Sequence, residues 1–130
     1  MDYQNTLLDL LKHSYDSQHK LSDDFAKGCA AWVVIIGFMI QYTYAQGIIE
    51  CRQQIVSLLG ISICIISIFV NFKAKKISDN IEIDIKRICN ELSADNLYDS
   101  SHKLSYVAKV CTVIDIAVAI VFATKFVNFN

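Results

Sequence analysis

Two stretches of the chain carry no charged residue: Gly28 to Gln46 reads GCAAWVVIIGFMIQYTYAQ, and Ile55 to Phe72 reads IVSLLGISICIISIFVNF. At 1.5 Å of rise per residue, each makes a helix roughly 27 to 28 Å long, close to the thickness of a bilayer's hydrocarbon core. Both read as membrane-spanning helices. A third apolar run, Val110 to Thr124, is bracketed by Lys109 and Lys125 and interrupted by Asp115. It reads as a span if the lysine stems lie along the apolar zone with their ammonium groups in the headgroups, and as an interfacial helix otherwise. Leu104, Tyr106 and Val107 before it, with Phe126 and Phe129 after it, suit interfacial ends.

The polar material falls into two segments. Residues 1–27 place Leu7, Leu8, Leu11 and Tyr15 in helical register, followed by Ser22-Asp23-Asp24, which reads as a cap and acidic first turn feeding the first span. Residues 73–103 carry Ile77, Ile81, Ile85, Ile88 and Leu92 at helical spacing, the mark of an amphipathic helix. Ser93 to Asn96 should break that helix, with Asp95 or Asn96 capping the last one. Between the first two spans, Gly47 to Gln54 is too short to hold a domain and predicts an antiparallel hairpin. The expected fold is therefore all-α: an N-terminal cytoplasmic helix (1–27), a transmembrane hairpin (28–72, spans 28–46 and 55–72), a cytoplasmic amphipathic segment (73–103), and a third transmembrane helix with a short tail (104–130).

Composition agrees with an integral membrane protein: 54% of the 130 residues are hydrophobic, 19% are charged, and proline is absent. The first apolar run follows a long segment of mixed charge rather than a short basic one, so a cleaved secretory signal is not expected. The formal net charge of −1 hides an asymmetry. Lys12, Lys20 and Lys27 lie before the first span, Lys73, Lys75, Lys76, Lys86, Arg87 and Lys103 between the second and third, and Arg52 alone in the hairpin loop. Because basic loops stay in the cytoplasm, the N-terminus and the amphipathic segment should be cytoplasmic, and the hairpin loop and C-terminus outside. Lys73, Lys75 and Lys76 sit where juxtamembrane lysines face anionic lipid. Acidic residues (Asp79, Glu82, Asp84, Glu91) follow them, which argues against a nucleic-acid surface.

No catalytic constellation is visible. The five cysteines (Cys29, Cys51, Cys64, Cys89, Cys111) form no CxxC pair, and His13, His19 and His102 lack ligand spacing, so no metal or cofactor is expected. No Gly-rich phosphate loop or nucleophile elbow is present. The more specific pattern lies within the spans. Ser57, Gly60, Cys64, Ser67 and Asn71 form one small, weakly polar stripe on the second, and Ala108, Cys111, Asp115, Ala119 and Ala123 form another on the third. Such stripes allow close helix packing within or between subunits, or line a wet pathway. Asp115 stands near the middle of the third run, where a charge costs about 2.5 to 3.5 kcal/mol on insertion scales. An interior position would let it bond Ser57 or Ser67, and a shallow third helix would instead point it at headgroups.

A short cytoplasmic helix, a tight hairpin, a lysine-started amphipathic helix (NFKAKKISDNIEIDIKRICNEL) and a terminal span together resemble the small bacterial membrane effectors of anti-phage nucleotide-signalling systems, of the SLATT type or the cyclic-pyrimidine transmembrane type. The resemblance covers most of the chain and is architectural. The second family tends to show Asp-x-Lys-Ala before its first span, and this chain has Asp24-Phe25-Ala26-Lys27-Gly28, one residue out of register. The resemblance implies a non-enzymatic homo-oligomer that disrupts or permeabilises the membrane when a protein partner or nucleotide second messenger engages its cytoplasmic helices. The alternatives are an immunity, holin-type or holin-regulating protein, and a non-catalytic scaffold subunit of a larger complex.

Overall fold

A computed structural model describes residues 2–94 and 103–128. Three helices follow one another: α1 (Asp2–Tyr44), α2 (Glu50–Glu91) and α3 (Lys103–Val127). All three are long and apolar enough to cross a membrane. The expected caps at Asp95 and Asn96, and His102, lie outside the described residues.

The N-terminal segment and the first span are one helix of 43 residues, and the second span and the amphipathic segment are one helix of 42. The break expected at Ser22-Asp23-Asp24 does not occur. Its absence follows from phase. Leu7, Leu11, Tyr15, Gln18, Ser22, Phe25, Cys29, Trp32, Ile36, Ile40 and Thr43 are all buried or half-buried, at spacings of three or four, so Ser22 continues an inward-facing line. An N-cap residue must leave helical geometry, and no glycine or proline supports an exit there.

α2 carries a stricter repeat. From Gln53 through Ser57, Gly60, Cys64, Ser67, Asn71, Ala74, Ser78, Ile81, Ile85 and Ile88 to Leu92, buried and half-buried positions alternate by four and three without a slip. This is the heptad seam of a left-handed coil. It joins the stripe of the second span to the apolar face of the amphipathic segment through two small residues, Ala74 and Ser78.

α2 is the centre of the molecule, packed along α1 on one side and α3 on the other, while α1 and α3 barely meet. At the end distant from the hairpin, Leu7 and Leu11 pack on Ile85, Ile88 and Cys89 as a two-helix stalk. Within the apolar zone Ile36, Cys64 and Phe122 form a second core, with Trp32, Met39 and Val118 against it. At about 1.5 Å per residue, α1 and α2 are each roughly twice as long as a bilayer's apolar core is thick.

The turn between α1 and α2 needs one left-handed residue, supplied by Gly47 at φ 82°. Gln53 donates from Nε2 to the Ala45 carbonyl at 2.8 Å and ties the turn to the second helix. α2 begins at Glu50, inside the stretch expected to be loop. Its far end is a Schellman arrangement: the Ala94 N–H donates to Cys89 O, the Ser93 N–H to Asn90 O, and Ser93 takes φ 51°.

Candidate functional site: a polar floor beneath a lateral cleft

A cleft opens between the two outer helices above the α2 seam. Its volume is about 360 Å³. The walls are apolar, from Val33, Ile63, Ile66 and Ile114, and the floor is polar, from Ser67, Asn71 and Asp115. Asp115 is 2% exposed. Its carboxylate accepts a hydrogen bond from Asn71 Nδ2 at 2.8 Å, and the Ser67 hydroxyl on the adjacent turn of α2 faces the same carboxylate.

This settles which polar residues meet. Ser67, Asn71 and Asp115 come together. Ser57 does not join them: its hydroxyl donates to the Gln53 carbonyl of its own helix at 2.9 Å, and it lies more than two turns away toward the hairpin. Gly60 meets α3 at Phe122, where a Cβ on Gly60 would stand 2.7 Å from the ring. Cys64 is fully buried in the same core. Ser57, Gly60 and Cys64 of the α2 stripe are therefore packed within one chain.

On α3 the innermost positions are Ala108, Asp115 and Phe122, each seven apart. Cys111, Ala119 and Ala123 are half-buried beside them. Phe122 was not on the stripe of small residues, and size alone gave no reason to place it inward. The signal for it is complementary: a phenylalanine on one helix requires a gap on its neighbour, and Gly60 is the only glycine within 55–72.

The register also moves Asp115 in depth. It is level with Asn71, two positions before Lys73, rather than with the centre of the second span. Asp115 thus lies beside the basic band of Lys73, Lys75 and Lys76 rather than at the centre of the apolar zone. Within that band Lys73 and Lys76 are exposed, whereas Lys75 turns along its own helix to Asp79 at 2.8 Å.

Three further groups border the cleft. The Cys29 and Cys111 sulfurs lie 3.9 Å apart across its α1–α3 side. Trp32 presents a buried Nε1 that has no hydrogen-bond partner. Asp24 stands at the mouth. Among the described residues, no three His, Cys, Asp or Glu side chains converge where a metal ion could sit.

Outside the two cores the apolar zone faces outward: Val33, Phe38, Ile66, Phe69, Phe72 and Val113 are each at least 57% exposed, which would be an aggregating surface in water. No family model, curated protein or solved structure matches the chain.

Proposed function

We propose that the chain is a three-pass protein of a bacterial inner membrane, N-terminus in the cytoplasm, which assembles with copies of itself and permeabilises that membrane as an effector of anti-phage defence. The outward apolar belt supports insertion, since lipid is the solvent in which that surface is stable. The stalk of α1 and α2 projects on the side favoured by the lysines and offers a cytoplasmic receiver for a protein or nucleotide signal. The observation that carries the functional reading is the Ser67–Asn71–Asp115 floor. It is a polar cluster at the base of a cleft rather than inside either apolar core, so copies placed side by side around that cleft would share a polar path.

The test is membrane potential during induced expression, read with a potential-sensitive dye. The wild-type chain should depolarise cells once activated. Asp115→Leu should abolish the effect and Asp115→Asn retain part of it. Normal potential at high expression, with and without the native neighbouring genes, would overturn the effector reading, and full activity of Asp115→Leu would remove the cluster from it. A second reading, a scaffold or immunity protein, draws on the stalk, where Leu8, Leu10 and Ile83 are 46%, 49% and 65% exposed and offer apolar purchase to a partner. That reading predicts no depolarisation and loss of function on replacing those residues by serine.

A further inference from the structure

The cleft has a polarity of its own that membrane permeabilisation does not require. Along α1 it runs from Asp24 to Val33, about 13 Å at helical rise. Its lining holds two carboxylates, the exposed Asp24 and the buried Asp115, and is otherwise mostly apolar. Among the described residues no lysine, arginine or histidine lines it. Asp115 faces two neutral groups, the Asn71 amide that donates to it and the Ser67 hydroxyl, and no countercharge from the cleft. Neutral donors satisfy lone pairs without cancelling the charge, so a positive group entering the cleft gains most from the buried Asp115, where water screens poorly, and less from the exposed Asp24. Trp32 adds an indole wall and an unused N–H donor. The volume, about 360 Å³, is at the small end of ligand-binding cavities.

We propose that this cleft binds a cationic amphiphile: a protonated amine seated between Asp24 and Asp115, with an apolar body lying against Val33, Ile63 and Ile66. An oxygen on that body would accept from Trp32 Nε1. The binding needs neither an oligomer nor an open pore, and it stands or falls separately from the effector reading.

Trp32 is the sole tryptophan, so its emission reports on the cleft directly. The probes are octylammonium, octanol and octanoate, which share one chain and differ in head charge, titrated into the full-length protein in phosphatidylcholine nanodiscs. Octylammonium should change the emission saturably, whereas octanol and octanoate should show only the linear drift of partitioning. Asp115→Asn should weaken octylammonium at least about tenfold, as expected when one partner of a buried charge pair is removed. Asp24→Asn should weaken it less. Equal response to octanol, no saturable response to octylammonium, or unaltered affinity in both asparagine variants would each overturn the proposal. If Asp115→Asn fails to fold, the charge series on the wild-type protein decides it alone. Replacing part of the lipid by phosphatidylethanolamine distinguishes the source of the amine: competition with octylammonium assigns the site to a lipid headgroup, and unchanged affinity assigns it to a free amine.

Discussion

Gly60→Ala is a one-carbon perturbation whose sign the structure fixes. The added Cβ would lie 2.7 to 2.8 Å from three ring carbons of Phe122, which is itself 0% exposed and cannot swing into solvent. Restoring ordinary contact requires the ring or helix to retreat by about 0.7 Å, and overpacking of this kind costs about 1 to 3 kcal/mol. Alanine also improves helix propensity by about 1 kcal/mol over glycine. The expected balance is a loss of about 1 kcal/mol, with the two terms separable. In a Phe122→Leu background the clash is relieved, and Gly60→Ala should change from destabilising to stabilising. Equilibrium unfolding in mixed micelles, followed by Trp32 emission, measures this, because Trp32 packs on the same core. The cycle should give a coupling energy of about 1 to 3 kcal/mol. A Gly60→Ala protein more stable than wild type with Phe122 in place, or no reversal in the Leu background, would refute the packing argument.

Ser93 occupies the left-handed cap of α2 without being glycine, and Ser93→Gly should stabilise the stalk by about 0.5 to 1 kcal/mol, seen as slower hydrogen exchange at Ile88 to Leu92. For topology, Cys51 is exposed on the hairpin and should react with an impermeant thiol reagent added outside. Cys89 is buried in the stalk and reports on neither side, so Asn90→Cys in a protein lacking the other cysteines is the proper cytoplasmic probe; its labelling from outside would invert the orientation. Tyr3 donates to Glu91 at 3.2 Å, and that hydrogen bond, with the carboxylate's charge, raises its pKa above the ordinary 10.0. A raised pKa means the contribution is intact below pH 10 and fades as pH climbs through the folded value, so fraying of the α1 N-terminus should increase in that window and Tyr3→Phe should abolish the dependence.

The apolar runs were legible because length and absence of charge suffice to mark a helix that can cross a bilayer, and the stripe at Ser57, Gly60, Cys64 and Asn71 was legible because small residues recur at helical spacing. What the sequence hid was continuity and register. Ser22-Asp23-Asp24 has the residues of a cap, and a cap is defined by the backbone leaving the helix, which local composition does not decide. The stripe of the second span and the isoleucines of the amphipathic segment were read as two features because Ala74 and Ser78, which join them, are neither large nor apolar enough to stand out. The pairing of Asp115 with Asn71 and Ser67 rather than Ser57 depends on where α3 slides along α2. Phe122 against Gly60 sets that slide, a contact between residues of opposite size that a search for similar residues passes over.

The uninterrupted seam of α2 has a mechanical consequence. A rod with a hinge at the membrane surface would absorb a load applied to its outer part, whereas α2 has no glycine or proline between Ile61 and Glu91 where such bending could concentrate. The residues gripping α1 in the stalk and the Asn71 that holds Asp115 belong to the same winding. A load applied to the stalk at Leu8 or Ile83 therefore meets no built-in hinge before Asn71.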